Sequence, residues 1–169
     1  SEWYKELGIE YAAIDLSGEN GSLAMDLAVP CFIRGESKVH ERSHESAYLN
    51  IVFDMVVDAG TSEHIGNDGK HDIEAYYNCW LNKFNLCKIG GKIISENPKT
   101  GNWPGHGFNY VTKGFYFTLE IAADLKILEI GEHPAMGNDT DGWNIYCVME
   151  KTGTTFPTLA DFKKLGVKT

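Results

Sequence analysis

Apolar and polar stretches alternate most clearly between residues 51 and 96. An apolar run at 51–58 ends in a polar stretch at 60–64, and a second apolar run covers 91–96. Between these runs, residues 72–86 place apolar side chains three to four positions apart, which is the spacing of a helix with one buried face. Strand, helix and strand in this order predict a parallel βαβ unit.

The same pattern extends over the rest of the chain and predicts one domain spanning residues 1–169. Gly90 and Gly91 are predicted to form the turn before the second strand of the unit. Further strands are predicted at 9–15, 125–131 and 143–150, and helices at 2–7, 112–123 and 158–165. The last two strands should form an antiparallel hairpin at the sheet edge. The predicted fold class is α/β, with a mainly parallel sheet and a C-terminal antiparallel hairpin.

Ligands of parallel sheets bind beyond the carboxyl ends of the strands, so function is expected in the segments 60–64 and 96–110. Glu63 or His64 could take a proton from a substrate, although a turn with a helix cap is an equally good interpretation. His106 lies between two glycines and could approach a ligand closely, or it could hold the loop in place. The catalytic candidates are His64, Glu63 and His106.

Composition and charge narrow the classes of partner. The chain has 24 acidic and 15 basic residues and a net charge of −9, which disfavours nucleic acid as a principal partner. No stretch approaches the ~18 consecutive apolar residues of a membrane span. Four scattered cysteines are typical of buried thiols in a reducing cytoplasm. His40 and His44 are four residues apart but lack a third ligand, so no metal site is predicted.

Four segments follow one another in an order and spacing known from one enzyme family: 11–15 (YAAID), 24–27 (AMDL), 53–64 and 86–94 (LCKIGGKII). Together they resemble the Rossmann-like S-adenosylmethionine-dependent methyltransferases. Residues 11–15 resemble the second strand of that family, and 24–27 the segment that follows it. Residues 53–64 resemble the fourth strand and its loop, and 86–94 are similar to the L-x-P-G-G turn before the fifth strand.

The resemblance implies a cofactor, S-adenosylmethionine, and methyl transfer to a small-molecule or otherwise unidentified acceptor. By position, Asp15 would bind the ribose hydroxyls of the cofactor and Asp26 with Leu27 would meet the adenine. Ser17 and Gly18 would shape the loop beside the ribose. Gly60 and Thr61 would face the methionine moiety. Together with the scattered cysteines, this resemblance predicts a cytoplasmic location.

One departure from the family pattern stands at the beginning of the chain. The first strand and the glycine-rich loop that approaches the methionine moiety are missing, and no G-x-G motif replaces them. The sheet would therefore be incomplete at its N-terminal side. Two interpretations remain open: the sequence is a fragment of a longer protein, or it is a non-catalytic relative that has lost cofactor binding.

Overall fold

The computed structural model describes residues 2–30, 52–134 and 142–166. In chain order, the strands are β1 (Ile14–Asp15), β2 (Leu23–Ala24), β3 (Phe53–Ala59), β4 (Gly66–Asn67), β5 (Lys70–His71), β6 (Cys87–Pro98), β7 (Leu125–Pro134) and β8 (Trp143–Lys151). The α-helices are α1 (Glu2–Glu6), α2 (Ile73–Leu86), α3 (Lys113–Ala122) and α4 (Leu159–Phe162). None of these helices has the length and apolar character needed to cross a membrane.

The main sheet has four strands in the order β3-β6-β8-β7. β3 and β6 are parallel and α2 connects them, which confirms the predicted βαβ unit. β6 and β8 are antiparallel, and so are β8 and β7, which confirms the predicted hairpin. With one parallel and two antiparallel pairs, the sheet is mixed and mostly antiparallel, so the prediction of a mainly parallel, Rossmann-like sheet is wrong.

The segment 9–15 accounts for part of this error. Only Ile14–Asp15 is extended with a partner there, and it pairs in parallel with Leu23–Ala24 in a separate two-stranded ladder. The apolar residues that suggested a buried strand include Ile9 and Tyr11, whose side chains are exposed. The apolar run at 9–15 therefore does not form a strand of the main sheet.

Gly90 and Gly91 also differ from the prediction, because they lie within β6 and not in a turn before it. Phe53 pairs with Cys87 and Met55 with Lys92, so β6 carries extra residues opposite one position of β3. Gly90 has a φ of 84°, which favours glycine. A Cβ on Gly91 would lie 2.9 Å from a backbone carbonyl oxygen of β3, so the glycine pair allows a bulge at close backbone approach.

One face of the sheet forms the core with α2, α3 and α4. Alternate residues of β6 and β8 point to this face, as the two-residue period of strands requires. The largest buried side chains are aromatic: Trp80, Tyr76, Tyr116, Phe84, Phe115 and Phe162. Cys79, Cys87 and Cys147 are buried thiols, as predicted, whereas Cys31 lies outside the described residues. Burial raises the pKa of Cys147 to about 12, which keeps this thiol protonated and unreactive.

A buried ion pair ties α2 to the sheet. Lys83 Nζ donates to Asp58 Oδ2 at 2.7 Å, and each side chain is only 4% exposed. The same ammonium group lies 3.4 Å from the ring centre of Trp80. Burial alone would raise the pKa of Asp58, but the Lys83 charge and the hydrogen bonds from Lys83 and Ser62 outweigh it and hold that pKa below its ordinary value. Asp58 is therefore ionised at neutral pH.

The polar groups at the ends of α2 are also satisfied. Asp72 accepts hydrogen bonds from the backbone amides of Glu74 and Ala75 at the first turn, which is the usual role of an N-cap. At the other end, Lys151 Nζ donates to the carbonyl oxygens of Phe84 and Cys87 at 2.7 and 2.8 Å. The C-terminal half of the helix is thus tied to β3 through Lys83 and to β8 through Lys151.

Replacing Lys83 by methionine should lower the free energy of unfolding by about 3–5 kcal/mol, because the Asp58 carboxylate would stay buried without its cation. Urea denaturation measures this change. Lys88→Met is the matched control, since Lys88 pairs with Asp54 at the surface and such pairs contribute less than about 1 kcal/mol. Equal stability losses in the two variants would contradict the structural role of the buried pair.

Candidate functional site

The short 3-10 turn Ser62–His64 follows β3 and is anchored on the buried ion pair. The Ser62 hydroxyl donates to Asp58 Oδ2 at 2.7 Å and its amide donates to Asp58 Oδ1 at 3.1 Å. Gly60 has a φ of 75° and its amide donates to the Glu96 carbonyl oxygen at 3.1 Å. The left-handed glycine turns the chain at the end of β3, and Asp58 fixes the residues that follow.

Asn109 joins the 96–110 loop to this turn. Its side chain is buried, and Nδ2 donates to the carbonyl oxygens of Ile65 at 2.7 Å and Ser62 at 3.1 Å. Its Oδ1 accepts from Nδ1 of His71 at 2.8 Å. The backbone amide of Phe108 donates to the Glu63 carbonyl oxygen at 2.7 Å. The two segments predicted to share one edge of the sheet are therefore hydrogen-bonded to each other.

The shape of the loop brings His106 to the turn. Tyr110 Oη accepts from the amides of His106 and Gly107 at 3.0 and 3.1 Å and donates to the Trp103 carbonyl oxygen at 2.6 Å. A Cβ on Gly107 would lie 2.8 Å from the carbonyl oxygen of Glu63 and 3.0 Å from its Cγ. Glycine at this position is what lets the loop approach Glu63.

Glu63 lies beneath the two histidines. Its side chain is 2% exposed, whereas those of His64 and His106 are 49% and 43% exposed. Oε1 lies 3.5 Å from Nε2 of His64 and 3.8 Å from Nε2 of His106, and the two imidazole rings are 5.0 Å apart between centres. The two predicted histidines are therefore neighbours, and His106, but not His64, lines the cavity described below.

One oxygen of the Glu63 carboxyl group lacks a hydrogen-bond partner among the described residues. This atom, Oε2, is buried. Burial raises the pKa of Glu63 above its ordinary value, and the nearby charge of Asp58 adds to this shift. A buried carboxyl group without full hydrogen bonding is costly, and such groups are concentrated at functional sites.

A cavity of about 320 Å³ opens beside these residues. It is lined by Ala59, Gly60, Glu63, Glu96, Pro98, Trp103, His106, His133 and Asn144. Within it, Glu96 Oε1 accepts from Asn144 Nδ2 at 3.0 Å and lies 3.1 Å from His133 Nε2. No protein-family model matches the chain, and no curated protein matches it.

His133, Asn144 and Trp103 were not among the predicted site residues. His133 and Asn144 are opposite each other in the β7–β8 pair, and Asn144 is also opposite Pro98 at the end of β6. An antiparallel hairpin brings the end of its first strand and the start of its second to one edge of the sheet. The pairing of the two predicted hairpin strands could therefore have located His133 and Asn144 at the site.

The predicted cofactor-binding residues fall in two places. Gly60 lines the cavity, and the adjacent Thr61 donates its amide to Asp58 Oδ1 at 3.3 Å. The other five candidates belong to the N-terminal segment and do not line the described cavity: Asp15, Ser17, Gly18, Asp26 and Leu27. The structure therefore does not bring all seven residues to one cavity.

The N-terminal acids form local hydrogen bonds. Asp15 Oδ1 accepts from the amide and the hydroxyl of Ser17 at 2.8 and 2.5 Å, and these bonds lower the pKa of Asp15. Asp26 Oδ1 accepts from the amide of Ala28 at 2.9 Å. The carbonyl oxygen of Leu27 accepts from Asn82 Nδ2 at 3.2 Å, which docks this segment on α2. His40 and His44, which gave no metal site in the sequence, lie outside the described residues.

Asn109→Ala should lower the free energy of unfolding by about 1–3 kcal/mol, because buried carbonyl groups of the turn would lose their donor. It should also release the loop from Glu63. Chemical denaturation measures the first effect, and faster hydrogen exchange of the Phe108 amide, which donates to the Glu63 carbonyl oxygen, reports the second. Asn67→Ala in the exposed β4–β5 hairpin is the control, with a change within about 0.5 kcal/mol. An Asn109 variant as stable as this control would contradict the role assigned to Asn109.

Proposed function

We propose that the chain carries out S-adenosylmethionine-dependent methyl transfer to a small-molecule acceptor bound in the cavity at the carboxyl ends of β3 and β6. One observation supports this proposal most: Glu63, His64 and His106 converge where the resemblance to methyltransferases expects the acceptor. Glu63 and His64 come from the loop after β3, and His106 comes from the loop after β6. Both loops follow neighbouring parallel strands.

The charge of the cavity favours a cationic ligand. Glu63 and Glu96 both line it, and the whole chain carries a net charge of −9. S-adenosylmethionine carries a positive sulfonium centre, whose methyl group is transferred. A carboxylate beside a positively charged centre stabilises it by Coulomb attraction, most strongly where water is excluded. This complementarity is a physical argument for the ligand that does not depend on sequence resemblance.

The reaction requires little of the protein besides positioning. An acceptor oxygen or nitrogen forms a bond to the methyl carbon while the carbon–sulfur bond breaks, its electron pair stays on sulfur, and the acceptor loses a proton. Holding the acceptor in line with that bond accounts for most of the rate enhancement. Glu63, with its raised pKa, and the two imidazoles supply groups that can receive the proton.

The first test measures cofactor binding by isothermal titration calorimetry with S-adenosylmethionine. We expect binding by the wild-type chain and a roughly tenfold weaker affinity in Asp15→Ala, because a carboxylate that binds ribose hydroxyls would be lost. Glu19→Ala, an exposed acid in the same segment, is the matched control and should bind like wild type. A wild-type chain that does not bind would favour the alternative, a methyltransferase-like binding or structural protein. Equal affinities in both variants would remove Asp15 from the site.

The second test measures turnover with a panel of small amine and hydroxyl compounds, using release of S-adenosylhomocysteine as the signal. We expect His106→Ala to lower turnover about 100-fold or more, the scale of a lost acid–base group. Its melting temperature should change little because the side chain is half exposed. His71→Gln can still donate to Asn109 and serves as the control for histidine loss outside the cavity. Full turnover in His106→Ala would contradict the assigned role.

A further inference from the structure

The donor atoms of Glu63, His64 and His106 have the spacing of a metal site. One oxygen and two imidazole nitrogens lie within 4.8 Å of one another. Bonds of about 2.0–2.2 Å in a tetrahedral zinc site place ligand atoms roughly 3.3–3.6 Å apart. The distance from His64 Nε2 to Glu63 Oε1, 3.5 Å, already meets this spacing. The distance from His106 Nε2 to the same oxygen, 3.8 Å, is slightly longer. Metal binding would require the half-exposed His106 side chain to move towards Glu63 and His64.

A second observation points to a missing cation. Glu63 is 98% removed from solvent and faces the cavity, yet its Oε2 has no hydrogen-bond partner in the described part of the chain. The imidazole nitrogens, at 3.5 and 3.8 Å from Oε1, are too distant for good hydrogen bonds. Buried carboxylates are usually paired or coordinate metals.

Glu96, which lies beside His133 in the same cavity, differs from Glu63 in its hydrogen bonding. Glu96 Oε1 accepts a hydrogen bond from Asn144 Nδ2 at 3.0 Å and lies 3.1 Å from His133 Nε2. Those distances describe a satisfied carboxylate. Only the Glu63 cluster, among the described residues, combines three candidate ligands within metal-binding distance of one another.

We propose that Glu63, His64 and His106 bind a divalent transition-metal ion, with Zn²⁺ as the best match. Two imidazole nitrogens and one carboxylate oxygen form one of the ligand sets of catalytic zinc sites, which keep a fourth position open. Calcium and magnesium prefer sites made of oxygen alone. Glu63 and His106 line the cavity, so the open position would lie beside it.

The surroundings of the cluster suit this role. The backbone of Glu63 is held by Phe108 and Asn109, and Gly107 packs against its side chain. Such outer contacts orient metal ligands. With the metal bound, the two imidazoles would be ligands and not proton acceptors, and the open position would bind an oxygen of the acceptor and lower its pKa. Metal binding itself does not depend on the proposed function.

The experiment titrates Zn²⁺ into tag-free, metal-stripped protein in competition with a chromophoric chelator, and Co²⁺ absorption reports the coordination geometry. We expect one ion per chain, an absorption spectrum typical of tetrahedral Co²⁺, and a higher melting temperature with Zn²⁺. His64→Ala, His106→Ala and Glu63→Gln should each weaken the affinity by more than the roughly 10–100-fold typical of outer-contact changes.

Two control variants locate the ion. His133→Ala and the double variant His40→Ala/His44→Ala should both bind Zn²⁺ like wild type. No binding by wild type, or binding that survives in His64→Ala/His106→Ala, would overturn the proposal. Because these titrations contain no S-adenosylmethionine, and the cofactor titration can be run with a chelator present, failure of the metal site and failure of the proposed function are distinguishable.

Discussion

The buried pair of Asp58 and Lys83 is the interaction on which the rest of the site depends. One carboxylate at the end of β3 accepts from the ammonium group of α2 and from the turn that follows the strand. Separating these charges would leave one of them buried without compensation, at a cost of several kcal/mol. Helix, strand and turn are therefore held in one arrangement. The sheet topology then fixes which loops meet at the edge where β3 ends.

A series of hydrogen bonds connects this pair to the candidate metal ligands. Asp58 fixes Ser62, Ser62 begins the turn that carries Glu63, and Asn109 binds that turn from the opposite loop. The histidines at the surface are thus supported by buried hydrogen bonds, while Glu63 beneath them lacks a partner for one oxygen. A rigid scaffold with one incompletely satisfied carboxyl group is a typical arrangement for binding an external cation or a proton.

Local sequence pattern was sufficient for much of this structure. The helix at 73–86, the parallel pair around it and the final hairpin follow from periodicity, and the shared edge brought His64 and His106 together as expected. Which segments form strands of the main sheet was not predictable in the same way. An exposed apolar segment and a buried strand have similar sequences. The roles of Lys83 and Asn109 were also missed, since their partners lie 25 and more than 40 residues away.

Amide hydrogen exchange tests this account most directly. The amides of Ser62 and Phe108 lie in loop segments, yet they donate to Asp58 Oδ1 and to the Glu63 carbonyl oxygen at 3.1 and 2.7 Å. If the buried pair holds the site together, both amides should exchange as slowly as those in the middle of α2, through the same cooperative opening. Exchange at the rate of an exposed loop, while α2 stays protected, would show that the loops move independently and would contradict the account.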